Sequence, residues 1–149
     1  MGGFRARNVI SGKEARIYWG GEEVAYAKSA EANIEKTKSQ IKVLGRVMDG
    51  SKTTSAAGSG TLTLHKTTSK FAKMMREYVR TGIDQYFTVE MILDDKGAGR
   101  GTERVTLFDV NIDSVKIAAL DVDSEGLEEE VPFTFEDFDM PEALLDTFR

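Results

Sequence analysis

The chain contains no cysteine, which excludes disulfide staples, thiol nucleophiles and thiolate metal sites together. It has a single histidine, His65, so a Ser- or Thr-based nucleophile would have only that residue as its base. His65 lies in an alternating pattern beside threonines, and a half-buried structural histidine is the expectation. No apolar run approaches the roughly 18–20 residues that a membrane-spanning helix needs. The first residues, MGGFRARNVISG, lack the apolar segment of a secretory signal, so synthesis in the cytoplasm is expected. A global basic excess is also missing: 20 Lys and Arg stand against 25 Asp and Glu, a net charge of −5. No overall field draws the chain to nucleic acid or to an anionic membrane.

What remains is 149 residues with 40% hydrophobic and 30% charged content, the size and composition of one soluble domain with a substantial core. A single domain over residues 1–149 is expected. The charges are segregated. Basic residues are frequent up to Arg80, whereas Asp121 to Asp146 is strongly acidic with no Lys or Arg. In a self-assembling protein, such segregation sets head-to-tail complementarity.

Residues 1–13 show no periodicity and read as an N-terminal arm. Ala15–Trp19 reads as a strand and Gly20-Gly21 as a hairpin-type turn. Val24–Leu44 fits both a strand and a helix, and the β-branched finish Ile41-Lys42-Val43 favours strand. Leu44 to Leu64 is polar and punctuated by Gly45, Gly50, Gly58 and Gly60, which predicts an extended polar loop over residues 45–60 between two strand-like segments. Loops of this length are uncommon and usually functional or disordered, so a partner to fold against is implied. Thr61–His65 alternates as a strand. Thr67 to Ser69 offer N-caps, and Phe71, Met74, Met75, Tyr78 and Val79 form the apolar stripe of an amphipathic helix that Gly82 closes. Tyr86–Leu93 reads as a buried strand, Asp94–Thr102 as a glycine-rich turn, and Val105–Val110 with Ile112–Ile117 as one long or bent strand. Val131–Phe138 follows as a strand, and Leu144, Leu145 and Phe148 are placed to cap the core. The sum is a mainly β, α+β fold: an antiparallel β-barrel or sandwich with one flanking helix and a long polar loop.

Catalytic and metal-binding motifs are weak throughout. Gly97 to Gly101 leads into a strand, not the helix N-terminus that phosphate loops require. Asp121, Asp123, Glu125 and Gly126 imitate the start of a calcium loop, but Pro132 stands where the closing bidentate glutamate belongs. A solvated acidic loop is expected there. No enzyme, metal site or cofactor is implied.

Several features in order carry a resemblance: Asn8-Val9-Ile10-Ser11-Gly12, then Gly21-Glu22-Glu23-Val24-Ala25, then Val43-Leu44-Gly45-Arg46. The polar stretch containing Gly50 and Lys52, Gly58-Ser59-Gly60-Thr61-Leu62-Thr63, and the helix follow. Over nearly its full length the chain resembles the tail tube (tail core) proteins of contractile phage tails, in particular those of the phage-like element PBSX of bacilli. The resemblance implies six-copy rings in which strands of neighbouring subunits build a continuous inner β-barrel, stacked into a tube inside a contractile sheath. The implied partners are further copies of the chain, a sheath protein, tape measure and baseplate proteins, and DNA passing through the lumen without specific binding. No membrane partner is implied. The tail would assemble in the host cell. The arm and the polar loop become candidates for ring-to-ring contact, with Arg5, Arg7, Arg46, Lys52, Thr53 and Thr54 named for it. Glu31 and Glu35 are named as acidic residues facing the lumen. Two alternatives stay open: a tube component of a contractile secretion or bacteriocin system, and a monomeric β-barrel binding module.

Overall fold

The computed structural model describes residues 15–24, 27–94, 102–118, 120 and 127–143. Strand β1 (Ala15–Trp19) turns through Gly20 and Gly21 into β2 (Glu22–Glu23), and both glycines have positive φ, 62° and 89°. That is the backbone a tight hairpin demands and that side chains resist. Two long strands follow, β3 (Ala27–Ile41) and β4 (Gly50–His65), then helix α1 (Lys70–Thr81). The chain continues as β5 (Phe87–Asp94), β6 (Thr102–Ile112), β7 (Glu128–Phe135) and β8 (Asp137–Glu142). The strands are hydrogen-bonded in the order β2-β1-β5-β6-β7-β4-β3, with β8 beside β6, and every pairing is antiparallel.

The sheet folds over on itself at one corner. There β6 passes from pairing β5 and β8 to pairing β7, and Asp109 at the crossing has φ 54°. The return chain bends at Glu136, whose N–H donates to the Phe108 carbonyl at 3.1 Å. Both strands thus change partners at the same place, a sandwich corner.

Inside the fold, Trp19 is the hub. It is 2% exposed and meets Phe71 edge-on at 5.4 Å and Phe133 edge-on at 5.7 Å, with Phe87 tilted at 5.9 Å. These are favoured geometries for aromatic quadrupoles. Around them Leu62, Leu64, Val89, Leu107, Val110 and Val131 are fully buried. Helix α1 lies over this core through Phe71 and Met74. Its cap is as predicted, with Gly82 at φ 73° and its N–H donating to the Tyr78 carbonyl at 2.7 Å. Ser69 occupies the N-cap position without a side-chain capping bond. The C-terminal half of the apolar stripe, Tyr78 and Val79, is exposed.

Several expectations need correction. Residues 45–60 are not an extended loop, because β4 begins at Gly50 and the connection to β3 is only residues 42–49. Gly58 and Gly60 do not break structure. They sit inside β4, where a Cβ at Gly58 would lie 2.5 Å from the Phe135 ring and one at Gly60 2.6 Å from the Phe133 ring. Aromatic rings of the next strand occupy the space a side chain would need. Ser114–Ile117 is not strand, since β6 ends at Ile112. The predicted strand Val131–Phe138 is two strands divided at Glu136. Tyr86–Leu93 is only partly buried, with Val89 its one fully enclosed residue. His65 is exposed at the end of β4, not half-buried. The N-terminal arm, the glycine turn at 95–101, the acidic run at 121–126, and Leu144, Leu145 and Phe148 lie outside the described residues.

Candidate functional site

Two surfaces built by β3 and β4 stand out. The first is the face of β3, β4 and β7 turned away from the core. Register places Glu31 beside Thr61 and Pro132, Asn33 beside Ser59 and Thr134, and Ser29 beside Thr63 and Glu130. Glu35 lies beside Ala57 in the next row out. The intervening positions, Leu62, Gly60, Val131 and Phe133, point into the core, so period-two alternation fixes the outer set. These rows present hydroxyls, amides and carboxylates, and contain no Lys or Arg. Glu31 and Glu35, the residues expected to face a lumen, both lie on this face. Sequence reasoning missed Ser59, Thr61, Thr63, Glu130 and Thr134, whose signal was the Ser/Thr alternation through Ser59–Thr63. At the margin, Lys28 is held by Glu128 at 2.6 Å, and that partner lowers the Glu128 carboxyl's pKa from its ordinary value.

The second surface is a ribbon. Pairing between β4 and β7 ends at Gly58 opposite Phe135, whereas pairing between β3 and β4 runs on to Ile41 opposite Gly50. Beyond Glu35 and Ala57 the hairpin therefore has no third strand, and it extends roughly 20 Å at the usual rise per residue. Nearly all of its residues are exposed. Its tip is apolar: Leu44 and Val47 are fully exposed, Met48 is 76% exposed, and Ile41 and Val43 are partly so. An isolated two-stranded hairpin is marginal in water, and apolar side chains clustered at an exposed end are unusual on a monomer.

The residues named for ring-to-ring contact fall here, except Arg5 and Arg7, which lie outside the described residues. Arg46 is in the tip, where its N–H donates to the Val43 carbonyl at 3.2 Å around Gly45, φ 81°. Lys52 pairs with Ser39 and Thr53 with Lys38. Thr54 is different. It is the extra residue of a β-bulge, and its hydroxyl donates to the Thr37 carbonyl at 3.0 Å, so it stabilises the ribbon itself. The apolar tip was missed, although Leu44, Val47 and Met48 interrupt an otherwise polar stretch.

Comparison with known proteins identifies the family and the fold. The profile of the family described as "Phage tail tube protein" matches residues 3–142. The chain is 62% identical over 144 residues to "Phage-like element PBSX protein XkdM" of Bacillus subtilis (strain 168), covering 97% of this chain and 98% of that protein. The fold is shared with a chain of the sheath-tube complex of the extracellular contractile injection system PVC, at TM-score 0.68 and 10% identity over 91% of this chain and 93% of that one. It is also shared with Hcp1 from Flavobacterium johnsoniae, at TM-score 0.58 and 12% identity over 90% and 98% of the two chains. The chain belongs to the phage tail tube protein family, a family of structural proteins and not of enzymes.

Proposed function

We propose that six copies of this chain form a ring, that rings stack through the β3–β4 ribbon, and that the resulting tube is the DNA conduit of a contractile phage or phage-like tail. The observation that carries this reading is the ribbon: roughly 20 Å of two-stranded hairpin with an apolar tip that nothing in the described chain covers. Association supplies the missing contacts, and Arg46, Lys52 and Thr53 lie on the ribbon that would make them. The arm with Arg5 and Arg7 is assigned to the same axial interface.

The cation-free face of β3, β4 and β7 is assigned to the lumen. Carboxylates at Glu31, Glu35 and Glu130 repel phosphates, and the neutral hydroxyls between them add no attractive charge. A tube with this lining lets DNA pass without retaining it. The free edge of β3 is closed by the neighbouring subunit in the ring, which removes an exposed sheet edge. A sheath surrounds the tube, with tape measure and baseplate proteins at its start. Assembly takes place in the host cell that makes the chain. A secretion or bacteriocin tube would use the same architecture, and the identity to a phage-like element protein favours the tail.

Negative-stain electron microscopy of concentrated protein, with baseplate proteins supplied as nucleators, tests the proposal. Hollow tubes with six-fold rings are expected, and monomers under all these conditions contradict it.

A further inference from the structure

The ribbon carries five basic residues between positions 36 and 52 (Lys36, Lys38, Lys42, Arg46 and Lys52) against one acid, Asp49. None of the five takes part in an ion pair among the described residues. Elsewhere on the same chain, the bend at Glu136 and strand β8 form the opposite surface. Glu136, Asp137, Asp139 and Glu142 fall within seven residues without a Lys or Arg, and every position from 136 to 142 is exposed. Of these acids only Glu142 has a cationic partner among the described residues, Arg104 at 3.4 Å. Apolar side chains are interleaved there too: Phe138 is 42% exposed, Met140 41% and Phe108 36%. One surface is basic with an apolar tip. On the other, register puts Asp137 and Asp139 on one face of β8 with Phe108, and Phe138 and Met140 on the opposite face with Leu107. Both sets are reached together along the edge of β8 that is unpaired among the described strands.

We propose that the ribbon of one copy docks along the unpaired edge of β8 in a second copy. This rests on the tube reading and names the receptor for the ribbon. Unlike charges, most of them without internal partners, steer the two surfaces together and fix their register, while Leu44, Val47 and Met48 meet Phe138 and Met140 at the β8 edge. The pairing is heterologous, with different patches on the two copies, so between stacked rings the same contact repeats at every step.

The absence of cysteine allows a clean crosslinking test. Full-length Met48→Cys protein is mixed with full-length Met140→Cys protein under tube-forming conditions and oxidised gently. A disulfide between copies is expected to form about tenfold faster than in a control mixture of Met48→Cys with Lys73→Cys on the helix, because docking raises the effective concentration of the correct pair. In parallel, Asp137→Lys/Asp139→Lys and Lys38→Glu/Lys42→Glu should each abolish tubes, and the protein carrying all four changes should regain them. The milder Asp137→Asn/Asp139→Asn keeps the side-chain oxygens that accept from the Phe138 and Met140 amides. It should weaken assembly in the same direction without disturbing the fold. A crosslinking rate equal to the control, or a four-fold variant no better than its parents, overturns the docking site and leaves the tube reading standing if wild-type tubes form. Wild-type protein that forms neither rings nor tubes even with baseplate proteins overturns both.

Discussion

Gly58 lies against the ring of Phe135 so closely that a Cβ would sit 2.5 Å from it, at the last position where β4 touches a third strand. Gly58→Ala should cost about 1–3 kcal/mol, the usual range for overpacking. Chemical denaturation measures it. The intruding atom meets the end of a side chain, so adding Phe135→Leu should recover part of the loss. Gly60 contrasts with it, because a Cβ there would also collide with the backbone carbonyl of Glu31. Trimming Phe133 in a Gly60→Ala protein should therefore rescue little. Equal rescue at both sites would contradict this account of the two glycines.

These glycines also show where sequence reasoning ran out. Helix α1 was legible because its apolar residues share one face and Gly82 supplies a left-handed cap. The β1–β2 turn was legible because Gly20-Gly21 has one favoured use. Residues 50–57 were not legible as strand. Period-two alternation reports a strand only when one face is buried, and both faces of the ribbon are in water. Gly58 and Gly60 then read as breakers, although their role is to admit aromatic rings from β7. The division at Glu136 left one trace, a phase shift: apolar residues fall on odd positions to Phe135 and on even positions from Phe138, which reads as an irregular strand until the partner strands are known. Of the polar face, Glu31 and Glu35 could be placed through their strand, and their assignment to a lumen remains a proposal. The rest of the polar face needed the register between strands, which no local pattern contains.

Reversing charge on the polar face should convert a passive lining into a binding one. Tubes of Glu31→Lys/Glu35→Lys protein are expected to assemble, since neither residue lies in the ribbon beyond the third strand. They should retain DNA added during assembly, scored as nuclease-protected DNA, and release it as salt rises. Tubes that protect no more DNA than wild type would place these residues elsewhere than the lumen.

Among the described residues, Glu129 is the one carboxylate drawn into the core. It is 3% exposed and paired in register with Leu64, and its Oε2 has no hydrogen-bond partner among them. Burial raises its pKa above the ordinary carboxylate value, with Lys66 pulling weakly the other way. The folded state therefore holds the proton more tightly than the unfolded chain. Glu129's contribution is most favourable below the unfolded pKa and is lost as pH rises through the folded one. Glu129→Gln should stabilise the protein at neutral pH and remove that part of the pH dependence, as followed by thermal melts from acid to neutral pH. A variant less stable than wild type at neutral pH would show that the carboxylate is satisfied when charged.

The central claim is that the ribbon makes the tube and is dispensable for the fold. Replacing residues 36–56 with Asn-Gly joins Glu35 to Ala57 through a two-residue turn at positions already opposite each other. The core residues, centred on Trp19, are untouched. The decisive measurement is electron microscopy of this protein beside wild type at equal concentration, each with baseplate proteins and each checked for a cooperative melt. The expected result is a folded variant that forms no tubes while wild type does. Normal tubes from the shortened protein would contradict the account.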